Sequence, residues 1–380
     1  VGLYVHVPYC ARRCAYCDFY SSVGRPGAAY VDALLREWTA LAAAHGPFPS
    51  LATTYLGGGT PGLLPAPELH RLLDGLHARA PLLPGAEVTL EANPRDVSPS
   101  VVLAWKRAGV TRVSLGVQSL DDPTLTFLGR DHDAAQAREA LHAVAQAGLV
   151  SFSADLIFGA PVQAPTALER DLTEVGGLAP HVSAYCLTWS PGTPLHARWL
   201  AGGLEPLPGD QEADRQERVR DHLHALGLRQ YEVSNHARPG HQAVHNRLYW
   251  AGSPTLGLGP GASSYLRWAN GTARRWRNAP DLQAYLAGGG RAEDVEDLSP
   301  EAALRDRLFC GLRDMEQGVN LPRLEADHGA PVPADAEDGL RAECRTGALE
   351  EVGPRHYRVT SAGALFADRV ARAVVGQPST

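Results

Sequence analysis

The strongest chemistry in this sequence rests on three cysteines. Cys10, Cys14 and Cys17 stand in a C-x3-C-x2-C spacing within YCARRCAYCDFY, Tyr9 to Tyr20. Three thiolates on one short loop can hold three corners of a cubane [4Fe–4S] cluster. Phe19 occupies the place where C-x3-C-x2-C-x-C would carry a fourth cysteine. The fourth iron would then have no protein ligand and an open coordination position. Half of a zinc site is the other metal reading, with His6 as the local candidate for a further ligand, since zinc takes four. Three ordinary cysteines are the plain alternative.

Other residues can hold a ligand beside that loop. Gly57-Gly58-Gly59-Thr60 follows a short apolar strand. Glycine lets the backbone approach a ligand closely, although an isolated glycine run also reads as a tight turn. No Gly-Lys-Ser/Thr follows, so it is not a phosphate loop. Glu91, Gln118, Arg130 and Asp155 fall at or beyond the C-terminal ends of successive strands, the end at which parallel α/β folds bind ligands. Each alone would also serve as a helix cap or a surface ion pair. His245-Asn246-Arg247-Leu248-Tyr249-Trp250 combines an imidazole that can ligate heme iron with flat aromatic area for a porphyrin face. A structural loop with His245 on a carbonyl fits the same residues.

The elements that would position these groups alternate. LYVHVP opens the chain as a strand, and helical stripes follow at Val31 to Ala42 and Leu69 to Leu76. Gly46, Pro47 and Pro49 end the first of these helices. Strands are predicted over 87–93, 112–119, 151–159 and 181–188, and helices over 98–108, 134–147, 168–178 and 210–226. Six βα units in a row predict a parallel sheet with helices outside, an α/β fold. Six do not close an eight-stranded barrel. Ser114, Gly116 and Gln118 alternate with Val113, Leu115 and Val117, and Ser151, Ser153 and Asp155 with Phe152, Ala154 and Leu156. One face is small and polar where a closed barrel would be filled with Val, Ile and Leu. An open, splayed partial (β/α)6 barrel over 1–230 with a wet or ligand-filled interior accounts for both facts.

Residues 231–290 are rich in Gly and aromatics without a clear period and read as an irregular connecting segment. The break Gly288-Gly289-Gly290 precedes 291–380, which reads as a smaller, mainly helical, winged-helix-like domain. Ser299 caps its first helix, whose stripe runs Leu304, Leu308, Leu312 and Met315. A short hairpin and a last helix carrying Phe366 and Val370 follow.

The 380 residues suffice for two domains with cores of their own. Formal net charge is −7, which argues against a nucleic-acid partner. No apolar run approaches the length of a membrane span. The six cysteines suggest no disulfide framework, and a clustered triplet fits the reducing cytoplasm. No signal peptide is recognised before the first strand.

Together the motifs carry a resemblance. The triplet resembles the radical-SAM signature. Tyr4-Val5-His6-Val7-Pro8, GGGTP, Glu91 with Asn93-Pro94, SLGVQS with LGRDH, DLIFG and YEVSNHARPG resemble the HemN/HemW family, which holds oxygen-independent coproporphyrinogen III dehydrogenases and heme chaperones. Within it the chain looks like HemW. The dehydrogenases carry the fourth cysteine and an extension before the first strand, and HemW proteins carry H-N-x-x-Y-W, matched by His245, Asn246, Tyr249 and Trp250.

The resemblance implies a [4Fe–4S] cluster on Cys10, Cys14 and Cys17, with S-adenosylmethionine (SAM) on the open iron. It places Tyr4, Tyr16, Gly58, Gly59, Thr60, Glu91, Gln118, Arg130 and Asp155 around the cluster and SAM. It implies heme, and heme-acceptor proteins as partners; on the residues themselves His245 is the candidate axial ligand, with His6, His236 and His241 as alternatives. Cys186, Cys310 and Cys344 are expected to be uninvolved. The implied function is heme chaperoning; the rival is radical-SAM oxidative decarboxylation of coproporphyrinogen III. His236 departs from the family, where an aromatic residue usually follows Ser-Asn.

Overall fold

The computed structural model describes residues 1–46, 48, 50–288 and 291–376. Pro47, Pro49, Gly289 and Gly290, read above as breaks, lie outside the described residues. Six strands, β1 (Gly2–Val7), β2 (Leu51–Gly58), β3 (Leu82–Ala92), β4 (Arg112–Gln118), β5 (Ser151–Phe158) and β6 (His181–Cys186), run parallel and adjacent in chain order. Helices cross over between them, as the repeated βα pattern predicts. Val113, Leu115 and Val117 are fully buried against the helical shell, while Ser114, Gly116 and Gln118 face the interior cavity. The alternation therefore does two jobs: one face drives burial, and the other leaves a polar interior.

Local chemistry sets the helix starts. Ser98 accepts from Val101 N at the head of the helix Pro99–Arg107, and Asp133 forms a capping box with Gln136 at the head of Ala134–Gln146. Two short helices, Asp122–Leu128 and Pro194–Leu200, are additions to the predicted series. Each holds barely two turns, too few to show a period in sequence.

The expectation of an irregular segment at 231–290 is corrected. Strand β7 (Thr255–Leu258) pairs in parallel with the free edge of β1. Strands β8 (Ser263–Arg267), β9 (Ala273–Asn278) and β10 (Ala292–Leu298) extend the sheet from there as an antiparallel meander. Their pairing carries exposed ion pairs, Arg274 with Asp297 at 2.6 Å and Arg277 with Asp294 at 3.0 Å. Strands held by cross-strand charge show no apolar alternation, so the sequence pattern missed them.

The helical unit expected at the C-terminus is present. Helices Pro300–Gly311, Leu321–His328 and Ala334–Thr346 precede a hairpin of Leu349–Gly353 and His356–Val359, with Val319–Asn320 as third strand. Leu304, Leu308, Leu340, Val359 and Val370 form its own core. Ser299 caps the first helix through Ala302 N, as expected. The predicted last helix is broken into Ser361–Ala364 and Ala367–Val375, and Phe366 at the break is 56% exposed instead of buried. Arg247 Nη2 lies 3.4 Å from Asp314, and Met315 N donates to Tyr231 O, which fastens this unit to the barrel. Among the described residues no helix is long and apolar enough to cross a membrane.

Candidate cluster and nucleoside site

The polar strand faces and the cysteine loop enclose a cavity of about 430 Å³. Cys10, Cys14 and Cys17 line its mouth, with Tyr16, Gly58, Gly59, Thr60, Glu91, Gln118, Arg130 and Asp155. Eleven sequence-expected positions thus share one cavity wall. Tyr4 and His245 stand elsewhere.

Each thiol meets a polar neighbour or burial. Thr60 Oγ1 donates to Cys10 Sγ at 3.7 Å, and Arg130 Nη1 to Cys14 Sγ at 3.2 Å. Burial pushes the Cys17 thiol up to about 11 and raises that of Cys10. Metal binding would displace those protons, because the thiolate is the ligand. Among the described residues no three His, Cys, Asp or Glu side chains gather closely enough to hold one metal ion. A cubane requires no such point, since each thiolate takes its own iron. His6 is withdrawn from the zinc reading: Nδ1 is 3.0 Å from Tyr4 Oη and Nε2 is 2.9 Å from Tyr20 O. Three soft sulfur donors lining a polar cavity fit an iron–sulfur cluster, which Cys10, Cys14 and Cys17 would hold.

The glycine run is fixed by close backbone packing. Gly58 takes φ +108, and a Cβ on Gly59 would lie 2.6 Å from Tyr9 O, so both positions need glycine. Gly58 N donates to Glu91 Oε2 at 3.0 Å, Gly59 N to Val7 O at 2.9 Å and Thr60 N to Tyr9 O at 2.7 Å. These N–H groups are committed within the fold, and an ammonium, which only donates, would meet the carbonyl and carboxylate acceptors around the run. Glu91 also accepts from Tyr55 Oη at 2.7 Å, and burial raises its carboxyl to about 7. Asp155 accepts from Ser114 Oγ at 3.2 Å, and burial raises it to about 6. Gln118 ends β4 at a register shift with φ +64, a conformation rare outside glycine that turns its side chain to the cavity.

His245 is corrected from an available ligand to a structural residue. It is 1% exposed, with Nδ1 2.7 Å from Thr53 Oγ1 and Nε2 2.9 Å from Tyr249 Oη. Burial lowers its pKa to about 3, which keeps the ring neutral. Neither nitrogen is left for iron. His236 is 3% exposed within the sheet and neither nitrogen has a partner among the described residues, so it takes the place of a core side chain. Tyr4 stacks on Tyr55 with ring centroids 6.1 Å apart and faces a neighbouring groove.

Sequence reading missed several cavity residues. Asn93 donates to Thr60 Oγ1 at 3.0 Å and accepts from Arg130 Nη2 at 2.6 Å, joining two ligand loops. Its place just past β3 was the available signal. Cys186, expected to be uninvolved, lines the cavity at the end of β6, and burial raises its thiol to about 12. Arg112 and His181, at strand starts, gave no sign that they would line the cavity.

The geometry is that of a radical SAM barrel, and comparison agrees. The model of the Radical SAM superfamily matches residues 4–173. A heme chaperone HemW of Mycobacterium tuberculosis is 36% identical across 99% of this chain and 95% of its own length. The chain belongs to the HemW family. HemW of Escherichia coli is 37% identical, over 76% of each chain, and the Bos taurus mitochondrial radical S-adenosyl methionine domain-containing protein 1 is 39% identical over 82% of this chain and 73% of its own. In structure, the E. coli coproporphyrinogen III oxidase HemN superposes with a TM-score of 0.80, covering 99% of this chain and 90% of its own at 22% identity. That likeness shows the shared fold. Membership of the radical SAM family implies SAM and a [4Fe–4S] cluster.

Proposed function

We propose that this HemW-family protein is a heme chaperone, which binds heme and passes it to acceptor proteins in the cytoplasm. The observation that carries the reading is full-length similarity to proteins named heme chaperones, at 36% identity. Cys10, Cys14 and Cys17 would hold the cluster. Gly58 to Thr60, Glu91, Gln118, Arg130 and Asp155 would hold SAM against it. When bound and reduced, the cluster supplies one electron to SAM. The chain's own part is to keep Asp155 and Glu91 buried on hydroxyl and amide donors, where acceptors for ribose or ammonium groups stay fixed in place.

For heme, the groove beside the cysteine loop is the favoured location. It encloses about 810 Å³ and is bordered by Phe19, Tyr20 and Tyr249, with Arg13 and Arg277 also lining it. Phe19 is 62% and Tyr249 38% exposed, an aromatic surface suited to a porphyrin face. Guanidinium groups suit the propionates, although Arg277 already shares its charge with Asp294. Tyr249 replaces His245 as candidate axial ligand, because phenolate oxygen ligates heme iron in some proteins.

The test is a heme titration followed by transfer to an apo-hemoprotein, with anaerobic coproporphyrinogen III turnover measured in parallel. Saturable heme binding with transfer and no turnover is expected. Clear turnover of coproporphyrinogen would replace the chaperone reading with the dehydrogenase one.

A further inference from the structure

Deep in the cavity lie three buried polar side chains, Thr89 and Arg112 two residues below Glu91 in the strand register and His181 in line with it. Thr89 is 1%, Arg112 3% and His181 1% exposed, and all three line the cavity. Thr89 Oγ1, Arg112 Nη2 and His181 Nδ1 have no hydrogen-bond partner among the described residues. The sheet register brings them together: Thr89 of β3 pairs with Arg112 of β4, and Ser114, two residues on, is in line with Ser153 and His181. Asn246 closes the same floor from the helix Val244–Trp250.

The hydrogen-bond roles of the three can be assigned. Tyr231 Oη accepts from Ala243 N at 3.1 Å and lies 2.8 Å from His181 Nε2. His181 Nε2 is the one acceptor within hydrogen-bond reach of the Tyr231 hydroxyl among the described residues, so that proton goes to Nε2 and a neutral His181 carries its own on Nδ1. Arg112 Nη1 is spent on Ser151 Oγ and His241 O, both at 3.0 Å, which leaves Nη2 as a charged donor. Thr89 adds a hydroxyl. The nearest acid to Arg112, Glu87, stands 4.0 Å from Nε and accepts instead from Val244 N and His245 N at 3.1 Å. Asp155, the acid above, is held by Ser114. Thr89, Arg112 and His181 therefore offer three donors and one positive charge, and no side chain accepts from Thr89 Oγ1, Arg112 Nη2 or His181 Nδ1 among the described residues.

We propose that this floor is a carboxylate-binding subsite, distinct from the residues assigned to SAM, that receives the carboxylate of a ligand entering through the cavity mouth. A carboxylate is acceptor-only, with lone pairs enough for Arg112, His181 and Thr89 at once. A water molecule offers fewer acceptor positions and also brings two hydrogens that need acceptors. The proposal stands independently of where heme binds.

Calorimetry on reconstituted protein with sodium propionate, propionamide and inorganic phosphate as probes tests it. Propionate should bind saturably, propionamide of the same shape should not, and phosphate should bind more weakly. Arg112→Gln should weaken propionate by about tenfold or more. Thr89→Val, which keeps shape and loses the hydroxyl, should weaken it less, and it decides the matter if Arg112→Gln fails to fold. Iron loading reports folding in each variant. Equal response to propionate and propionamide, tighter phosphate binding, or wild-type propionate affinity in the folded variants would overturn the assignment.

Discussion

Arg130 Nη1 donates to Cys14 Sγ at 3.2 Å while Nη2 donates to Asn93 Oδ1 and Gly116 O. The guanidinium thus joins the Cys14 sulfur, proposed above as a cluster ligand, to the ends of β3 and β4. Hydrogen bonds to ligating sulfur raise the reduction potential of an iron–sulfur centre. Arg130→Gln should therefore load iron normally but shift the cluster midpoint to a more negative potential. A spectroscopically monitored redox titration reads this, and an unchanged midpoint would show that the contact is lost once iron binds.

The cysteines divide by position. Alanine at Cys10, Cys14 or Cys17 should each remove most of the iron bound after anaerobic reconstitution. Cys186→Ala should retain it, although Cys186 lines the same cavity. Full iron loading in Cys14→Ala would refute the cluster assignment. Iron loss in Cys186→Ala would enlarge the ligand set.

How far the sequence could be read follows from the kind of signal each residue carries. Ser114, Gln118 and Asp155 were legible as interior residues, because β-strand alternation converts spacing directly into facing. Cys10, Cys14 and Cys17 were legible through spacing on one loop. His245 was not, since its spacing to Tyr249 marks a helical turn but says nothing of Thr53, a residue 192 positions earlier that takes its second nitrogen. Nor were β9 and β10, whose Arg–Asp pairing hides the strand period. Arg112 and His181 start strands, a position that reads as surface until the helix Val244–Trp250 caps the barrel floor.

Acid titration gives a third test. Burial raises Glu91 to about 7 and Asp155 to about 6, from ordinary values of 4.5 and 3.8. SAM carries a sulfonium and an ammonium, so its affinity should fall as pH drops through 7 to 6 and the carboxylates protonate. The sign for the empty protein is opposite. Between the ordinary and the raised values the folded state holds more protons than the unfolded one, so these groups' contribution to stability declines as pH rises from about 4 to 7. Asp155→Asn should flatten part of both profiles and weaken SAM at neutral pH by about tenfold or more, since losing a buried charge-assisted contact costs about 2–5 kcal/mol. Calorimetry and thermal melts across pH measure the two effects, and parallel profiles for variant and wild type would remove Asp155 from the site.

The heme ligand gives the sharpest contrast. His245 is enclosed by Thr53 and Tyr249, while Tyr249 reaches the groove with its phenol still bonded to that imidazole. Tyr249→Phe keeps the ring and deletes the oxygen. It should abolish the charge-transfer features of phenolate-ligated ferric heme and weaken heme binding, with cluster iron unchanged. His245→Ala acts at one remove: it deletes the partner of the Tyr249 hydroxyl and leaves a buried hole, so lower thermal stability should accompany any heme shift. Core truncations of this size cost about 2–5 kcal/mol. His245→Gln can replace the bond to Tyr249 and should recover much of the heme spectrum, which a true iron ligand would not allow. Wild-type heme spectra in Tyr249→Phe, together with their loss in His245→Gln, would return the ligand to His245 and require the helix Val244–Trp250 to move when heme binds.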